Sequence, residues 1–361
     1  MRIAIIRLSA FGDVVIASSM LAGLKALGDY RIEWFVDERF SGILEHSPCI
    51  TKIHSLPFKK LLKSIGGLLE IRRYCKSCGE FDMVVDMQGL IKSAIVGKCL
   101  VSKKFVGFSK DGAREGFASY FYTHKVSIPY DSNILERNFS VLFSYLKEFQ
   151  ANPFTLERVM PLHSQGLGFS YHFITESLTS HFSALNHMEE KPYTFLFILE
   201  ASIKEKMYPI EKYAKLAQLL QGLLQNCHFH ILWNEDKDRA DSMLMLLKKQ
   251  GLKATQLDKL DFNSLKFVLR QVDCAIGGDT GVTHLAWAMG THCITLYGNN
   301  TESSGKNMRD TKLSRVLLGN PYVVSKGTNF EIESIEPREI FEVFKHNVLE
   351  SLGALESLRD E

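Results

Sequence analysis

The chain has 361 residues, 45% of them hydrophobic and 23% charged, which predicts a globular protein of about two domains with enough core to fold without staples. A formal net charge of +2 excludes the strong basic bias of a general nucleic-acid binder, so no nucleic-acid partner is expected. Seven scattered cysteines, an odd number, argue for a reduced, cytoplasmic protein and against a disulfide scaffold.

In chain order, Met1–Leu8 reads as an apolar strand. It is too short for the apolar region of a signal peptide, and no run approaches the roughly 20 apolar residues that span a bilayer. An unexported protein that does not thread a membrane is expected. Ser9–Asp13 is a turn leading into a helix over Val14–Leu27, and Arg31–Val36 repeats the strand signal. Phe58–Tyr74 then places Phe58, Leu61, Leu62, Ile65, Leu68 and Leu69 at helical spacing, with Lys59, Lys60, Lys63, Arg72, Arg73 and Lys76 elsewhere. A basic amphipathic segment suits a membrane surface or an anionic amphiphile, although a surface helix on a domain core looks much the same. Cys75 and Cys78 form a lone pair with no partner pair at zinc spacing, and two ordinary helix thiols are the preferred reading. Strand signals return at Met83–Asp86 and Lys104–Phe108, with Gln88–Ser93 between them.

Periodicity weakens from about residue 150, with Pro153, Pro161, Gly166 and Gly168, and a linker is placed over 161–190 between a first domain (1–160) and a second (191–330). The second half alternates strictly: strands at Tyr193–Leu199, His228–Trp233, Leu252–Leu257, Asp273–Gly277 and His292–Leu296, helices at Ile210–Leu224, Asp236–Lys249, Phe262–Arg270 and Thr280–Met289. Alternation of this kind implies parallel sheets flanked by helices, hence two open α/β domains. After the loop-rich stretches 299–306 and 320–325, a last helix over Pro337–Leu352, within a C-terminal 331–361 segment, is expected to reach back to the first domain.

In such sheets ligands sit beyond the carboxyl ends of the strands. Two half-sites therefore stand out, Ser9–Asp13 and Gly277–Gly281. In the second, paired glycines permit close backbone approach, the helix start offers free N–H groups to an anion, and Thr280 and His284 add side-chain donors. Asp279 is the odd member there, since a carboxylate repels phosphate; a helix cap, a metal ligand and an acceptor for sugar hydroxyls all remain open. A capped core helix with a satisfied histidine would show the same residues. Lys206, between a strand and the helix that Pro209 starts, would neutralise a departing diphosphate, or else be a solvated loop lysine. Asp236 and Asp238 occupy a strand end from which an acid often holds a ribose, or simply a solvated helix start. Asp13 would take a proton from an acceptor hydroxyl, or serve as a helix-dipole partner.

The residues also match a known pattern. Asp279-Thr-Gly-Val-Thr-His-Leu-Ala with Tyr297-Gly298, the opening Ile5-Ile-Arg-Leu-Ser-Ala-Phe-Gly-Asp-Val14, and Lys206-Met-Tyr-Pro209 resemble the ADP-heptose glycosyltransferases of lipopolysaccharide core synthesis, glycosyltransferase family 9. Trp34-Phe-Val-Asp-Glu-Arg-Phe40, Gln88-Gly-Leu-Ile-Lys-Ser93, Ala113-Arg-Glu-Gly-Phe-Ala-Ser-Tyr-Phe-Tyr122 and Leu135-Glu-Arg-Asn138 resemble most the member that attaches the first heptose to Kdo-lipid A, rather than the one adding the second. The resemblance implies a GT-B architecture, two Rossmann-like domains facing a central cleft, and inverting transfer with no metal or other cofactor. It implies Asp13 as base and Lys206 as leaving-group stabiliser. Thr280, Gly281, His284 and Ser202 would hold the diphosphate, Asp279 the heptose hydroxyls, Asp236 the ribose, and the backbone near Leu260 the adenine. Ser9, Gly12, Lys63, Gln88, Lys92, Arg114 and Arg137 become candidates for the acceptor. ADP-heptose and Kdo-lipid A are the implied substrates, and a peripheral position on the cytoplasmic face of the inner membrane follows.

The chain departs from the family pattern in places: Tyr208 replaces a usual Trp, Glu200 a common His, Asn234 a Gly after Trp233, and Asn299-Asn300 a Pro-Thr pair, while the loop before Lys206 is about one residue shorter. The alternatives are a heptosyltransferase for another acceptor, such as a second core heptose or a protein, a nucleotide-sugar epimerase, and a nucleotide-binding or scaffold module without activity.

Overall fold

The computed structural model describes residues 1–151, 153, 155, 156, 168–298, 323–325 and 331–357. The chain divides into two compact units, Met1–Ser170 and Tyr171–Glu361.

In the first unit, β1 (Arg2–Ile6), β2 (Arg31–Asp37), β3 (Lys52–Leu56), β4 (Glu80–Asp86), β5 (Val101–Phe108) and β6 (His124–Val126) form a parallel sheet in the order β3-β2-β1-β4-β5-β6. Ile5 lies opposite both Trp34 and Val85. Central strands covered on both faces must be apolar throughout, and Ile3 to Ile6 are accordingly fully buried. The order reverses between β1 and β4, which makes the loops after these two strands the ligand crevice of the sheet.

The second unit repeats the arrangement. β7 (Tyr193–Ile198), β8 (Cys227–Leu232), β9 (Ala254–Gln256), β10 (Cys274–Gly278), β11 (His292–Tyr297) and β12 (Val323–Ser325) run parallel in the order β12-β11-β10-β7-β8-β9. The reversal now lies between β7 and β10. Phe195, Phe197 and Phe229 build the core on one face, with Tyr213 from the Ile210–Leu224 helix packed on Phe197. Each unit thus has the Rossmann strand order that the family resemblance implies, on the parallel sheets that the alternation predicts.

The structure departs from the sequence reading at the edges and breaks. β3, β6 and β12 carry little strand signal; β12 falls where a loop was expected, and all three are edge strands that need one partner only. The helix expected over Val14–Leu27 is two, Phe11–Ser18 and Leu21–Leu27. Ser18 and Ser19 bond back to the carbonyls of Val15 and Ile16 at 3.1 and 2.8 Å, a local competition that ends the first helix. The basic segment also breaks: a turn over Phe58–Leu61 precedes the Ile65–Ser77 helix, which Ser64 caps by accepting Gly67 N–H at 3.1 Å. Ile71 and Cys75 are buried there, while Ile65 and Leu69 stand 79% and 57% exposed.

Within the span read as linker, Pro161 and Gly166 lie outside the described residues, whereas Glu176–Asn186 is a helix with Phe182 and Leu185 buried. The helix expected to reach the first domain begins at Pro337 and spends its apolar face on the second unit: Ile340, Phe344 and Val348 join that core, with Phe344 edge-on to Phe195. Residues 299–306, including Asn299-Asn300, lie outside the described residues. All seven cysteines are free thiols.

Candidate functional site

In the first unit the loops after β1 and β4 are sewn together. Leu8 N–H donates to Gln88 Oε1 at 2.8 Å, and Gln88 Nε2 reaches Ser9 Oγ at 3.4 Å. Arg7, 6% exposed, donates to the Met87 carbonyl and sets its Nη2 2.9 Å from Asp13 Oδ1. Asp13 Oδ2 accepts Ala10 N–H at 3.4 Å, the N3-to-N-cap contact of a helix start, and the side chain is 40% exposed. Asp13 is therefore both a dipole partner and an oriented carboxylate open to solvent. Gly12 immediately precedes it in the same helical turn.

Below this loop Asp86 is fully buried. It accepts the N–H groups of Gln88 and Gly89 at 2.8 and 3.2 Å and faces the hydroxyls of Ser93 and Tyr122, both at 2.8 Å. Burial pushes its carboxyl above the usual carboxylate range, against the pull of these contacts. Gly89 turns at φ 68°, with a hypothetical Cβ only 3.0 Å from the Phe108 ring, so the loop that presents Gln88 requires glycine.

The remaining acceptor candidates separate. Lys63, Lys92 and Arg114 are exposed. Arg137 is 4% exposed; it donates to the Gly112 carbonyl at 2.6 Å and lies over the rings of Phe108 and Tyr130, a packing position rather than one facing an anion in solvent.

In the second unit β7 and β10 deliver the most concentrated charge. Asp279 Oδ2 lies 2.5 Å from Lys206 Nζ, while Oδ1 is 3.3 Å from His284 Nε2 and accepts the Tyr297 hydroxyl at 3.0 Å. Burial alone would raise the Asp279 pKa, but the bonds and charges of His284 and Lys206 outweigh it and hold the carboxyl far below its usual range. Thr280 caps the Gly281–Ala288 helix, its hydroxyl 3.4 Å from Val282 N, and Thr283 Oγ accepts Thr280 N–H at 3.2 Å. A Cβ on Gly278 would stand 2.0 Å from the Lys206 carbonyl oxygen, so the close approach of the Lys206 loop to this strand end depends on glycine.

The expected cluster of Lys206, Asp279, Thr280, Gly281 and His284 is thus brought together, and Tyr297 joins it. Asp236 instead caps the Lys237–Lys249 helix, accepting Arg239 N–H at 3.0 Å. Ser202 is exposed in the loop after β7, and Leu260 is half-buried. Two of the sequence departures have structural work. Glu200 accepts the consecutive N–H groups of Asn234, Glu235 and Asp236 at 2.8, 3.0 and 3.1 Å, tying the end of β7 to the loop after β8. Tyr208, 1% exposed, donates its hydroxyl to the Ile335 carbonyl at 2.8 Å.

Sequence reasoning missed Arg7, Tyr297 as a partner of Asp279, and the buried Asp86. An arginine inside the apolar run Ile3–Leu8 was the available signal for the first, because a buried cation demands an anionic partner.

Two Rossmann-ordered units in one chain are the fold of the GT-B glycosyltransferases. Residues 71–318 match the model of glycosyltransferase family 9 (heptosyltransferase). Lipopolysaccharide heptosyltransferase 1 of Campylobacter coli is 30% identical over 355 residues, 96% of this chain and 98% of that protein. Its counterpart in Escherichia coli strain K12 is 24% identical over 310 residues, covering 82% and 88% of the two chains. Among solved structures, E. coli heptosyltransferase WaaC with ADP-2-deoxy-2-fluoro heptose superposes with a TM-score of 0.69 at 21% identity, over 96% of this chain and 100% of that one. The chain belongs to glycosyltransferase family 9, the heptosyltransferases.

Proposed function

We propose that the chain transfers L-glycero-D-manno-heptose from ADP-heptose to a Kdo residue of Kdo-lipid A, with inversion and without a metal ion or other cofactor in the chemical step. The Lys206–Asp279–His284 cluster beside the Thr280-capped helix start carries this reading. It supplies a cation and backbone donors where a diphosphate would leave, within a chain that is similar along 96% of its length to a lipopolysaccharide heptosyltransferase 1.

In the proposed step the Asp13 carboxylate takes the proton of the Kdo hydroxyl as its oxygen attacks the anomeric carbon of the heptose. The bond from that carbon to the diphosphate breaks, and ADP departs with the electron pair. A single displacement of this kind inverts the anomeric centre. Lys206, His284, Thr280, Gly281 and Ser202 meet the diphosphate, Asp279 a sugar hydroxyl, Asp236 the ribose, and the backbone at Leu260 the adenine. Ser9, Gly12 and Gln88 border the base, while Lys63, Lys92 and Arg114 serve the anionic acceptor. Arg137 acts by holding the Gly112 loop.

We place the enzyme in the cytoplasm, peripheral on the inner face of the inner membrane. No helix among the described residues is long and apolar enough to cross a membrane. Ile65 and Leu69 protrude among exposed Lys59, Lys60, Lys63, Arg72, Arg73 and Lys76, a basic amphipathic surface suited to an anionic bilayer.

A turnover assay pairing ADP-heptose with Kdo-lipid A, with and without chelator at 25 °C, tests donor, acceptor and metal independence together. Equal rates of ADP release and heptosyl-Kdo-lipid A formation are expected in both arms. Transfer only to an acceptor that already carries heptose would assign the second core position, and conversion of the sugar nucleotide without any acceptor would assign an epimerase.

A further inference from the structure

The second unit carries a histidine cluster that the transfer reaction does not use. His228 and His230 occupy alternate positions on β8, so both project to the sheet face opposite Phe229 and Ile231, which lie in the phenylalanine-rich core. His181 reaches them from the Glu176–Asn186 helix. His181 Nε2 lies 2.9 Å from His230 Nε2, and one ring nitrogen from each of the three falls within 4.8 Å of the others. Phe182 stacks on His230 with centroids 4.8 Å apart, and Thr255 Oγ1 holds His228 Nε2 at 2.8 Å.

We propose that His181, His228 and His230 form a binding site for one Zn2+ ion, which pins the Glu176–Asn186 helix to β8. Zinc binds imidazole nitrogen at about 2.0–2.1 Å, so tetrahedral ligand atoms stand about 3.3 Å apart. The 2.9 Å approach and the 4.8 Å outer limit bracket that spacing and require only small side-chain movements. A pair of histidines two residues apart on one strand, completed by a third from a packed helix, converges three ligands with little backbone freedom to lose. The Thr255 hydroxyl orients one ring, the outer-shell support that ligating histidines normally receive. His230 is fully buried while His181 and His228 are half-buried.

The test uses the whole chain after chelator treatment and dialysis, titrated with ZnCl2 by calorimetry and with CoCl2 by absorption. One equivalent of Zn2+ is expected, with a rise in Tm of about 5–10 °C at saturation. Bound Co2+ should show visible ligand-field bands without the near-ultraviolet charge transfer of thiolate ligands. His181→Gln is expected to weaken Zn2+ binding by about 100-fold while heptose transfer at 25 °C stays within about twofold. His228→Asn provides a second variant, and circular dichroism establishes that each is folded. Absence of one-equivalent binding, thiolate bands in the Co2+ form, or unchanged affinity in the folded variants would overturn the assignment.

Discussion

Lys206→Ala separates the structural and chemical duties of the lysine. Its ammonium is one of three side-chain partners of Asp279, at 2.5 Å, with Tyr297 at 3.0 Å and His284 at 3.3 Å. Removing one member of a buried ion pair costs about 3–5 kcal/mol when the other charge is stranded alone. Asp279 keeps its other two partners, so a loss of about 2 kcal/mol is the better figure, that of one hydrogen bond to a charged group. For a unit of this size each kcal/mol moves Tm by about 2–4 °C, and the second unit should melt about 4–8 °C lower by calorimetry. Asp279→Asn removes the charge that Lys206 balances; the double variant should therefore lose less than the sum, with a coupling of about 1–2 kcal/mol. In the transfer assay Lys206→Ala should lower kcat by about 10²–10³, because charge grows on the departing ADP only as the bond breaks. Additive melting losses would refute the ion pair as a stabilising contact, and an unchanged kcat would refute the leaving-group role.

Asp13→Asn should reduce transfer at least about 100-fold while calorimetric binding of ADP-heptose stays near the parent value, since the amide keeps the shape facing Arg7 and loses the base. Tyr208→Phe deletes a buried donor and leaves the Ile335 carbonyl with Lys212 Nζ at 3.3 Å, so a loss of about 1 kcal/mol is expected in denaturant melts of the second unit. For Asp279 the folded carboxyl titrates well below the unfolded one, so its stabilisation is complete above about pH 4 and is lost as pH falls further. Asp279→Asn should therefore flatten the acid limb of the stability profile below that pH, and an identical limb in both proteins would remove Asp279 from the account.

The alternation of apolar runs with amphipathic stretches exposed both parallel α/β units, because strands covered on two faces must be apolar along their whole length, while their Rossmann order was implied only by the family resemblance. What it hid follows from the same physics. Lys52–Leu56 and His124–Val126 are short edge strands, and the first buries a histidine, His54, among its few inward residues, so no apolar pattern marks them. The Glu176–Asn186 helix buries only Phe182 and Leu185, too narrow a stripe to register against serine and histidine neighbours. Within the candidate site the local pieces were readable, since Gly277–His284 is a contiguous turn and helix start. Partnerships across strands were not: Tyr297 to Asp279, Arg7 to Asp13, and the three loop N–H groups on Glu200 all depend on register between strand ends that are distant in sequence. Arg137 carried a charge that looked suited to an anion, and the fold spent it on Gly112 and two aromatic rings.

A carboxylate among phosphate donors is the least intuitive part of the site, and counting its acceptor capacity shows what it can do. An ionised carboxylate offers about four lone-pair positions. In Asp279 three are occupied, by Lys206 on Oδ2 and by His284 and Tyr297 on Oδ1. In the proposed reaction roughly one position therefore remains for a heptose hydroxyl while Lys206 stays in place. Lys206 has three donors on a flexible stem and can bridge the carboxylate and a phosphate oxygen at once, or release Oδ2 entirely to the sugar. Asp279 holds Lys206 and His284 at the strand end, which in the proposed reaction would reduce the ordering left for the transition state to supply. Under the proposed function it would also tie sugar recognition to leaving-group stabilisation, because a hydroxyl bound at Oδ2 would favour a shift of Lys206 towards the departing phosphate. Under that proposal the aspartate is a switchable counter-ion rather than a misplaced charge.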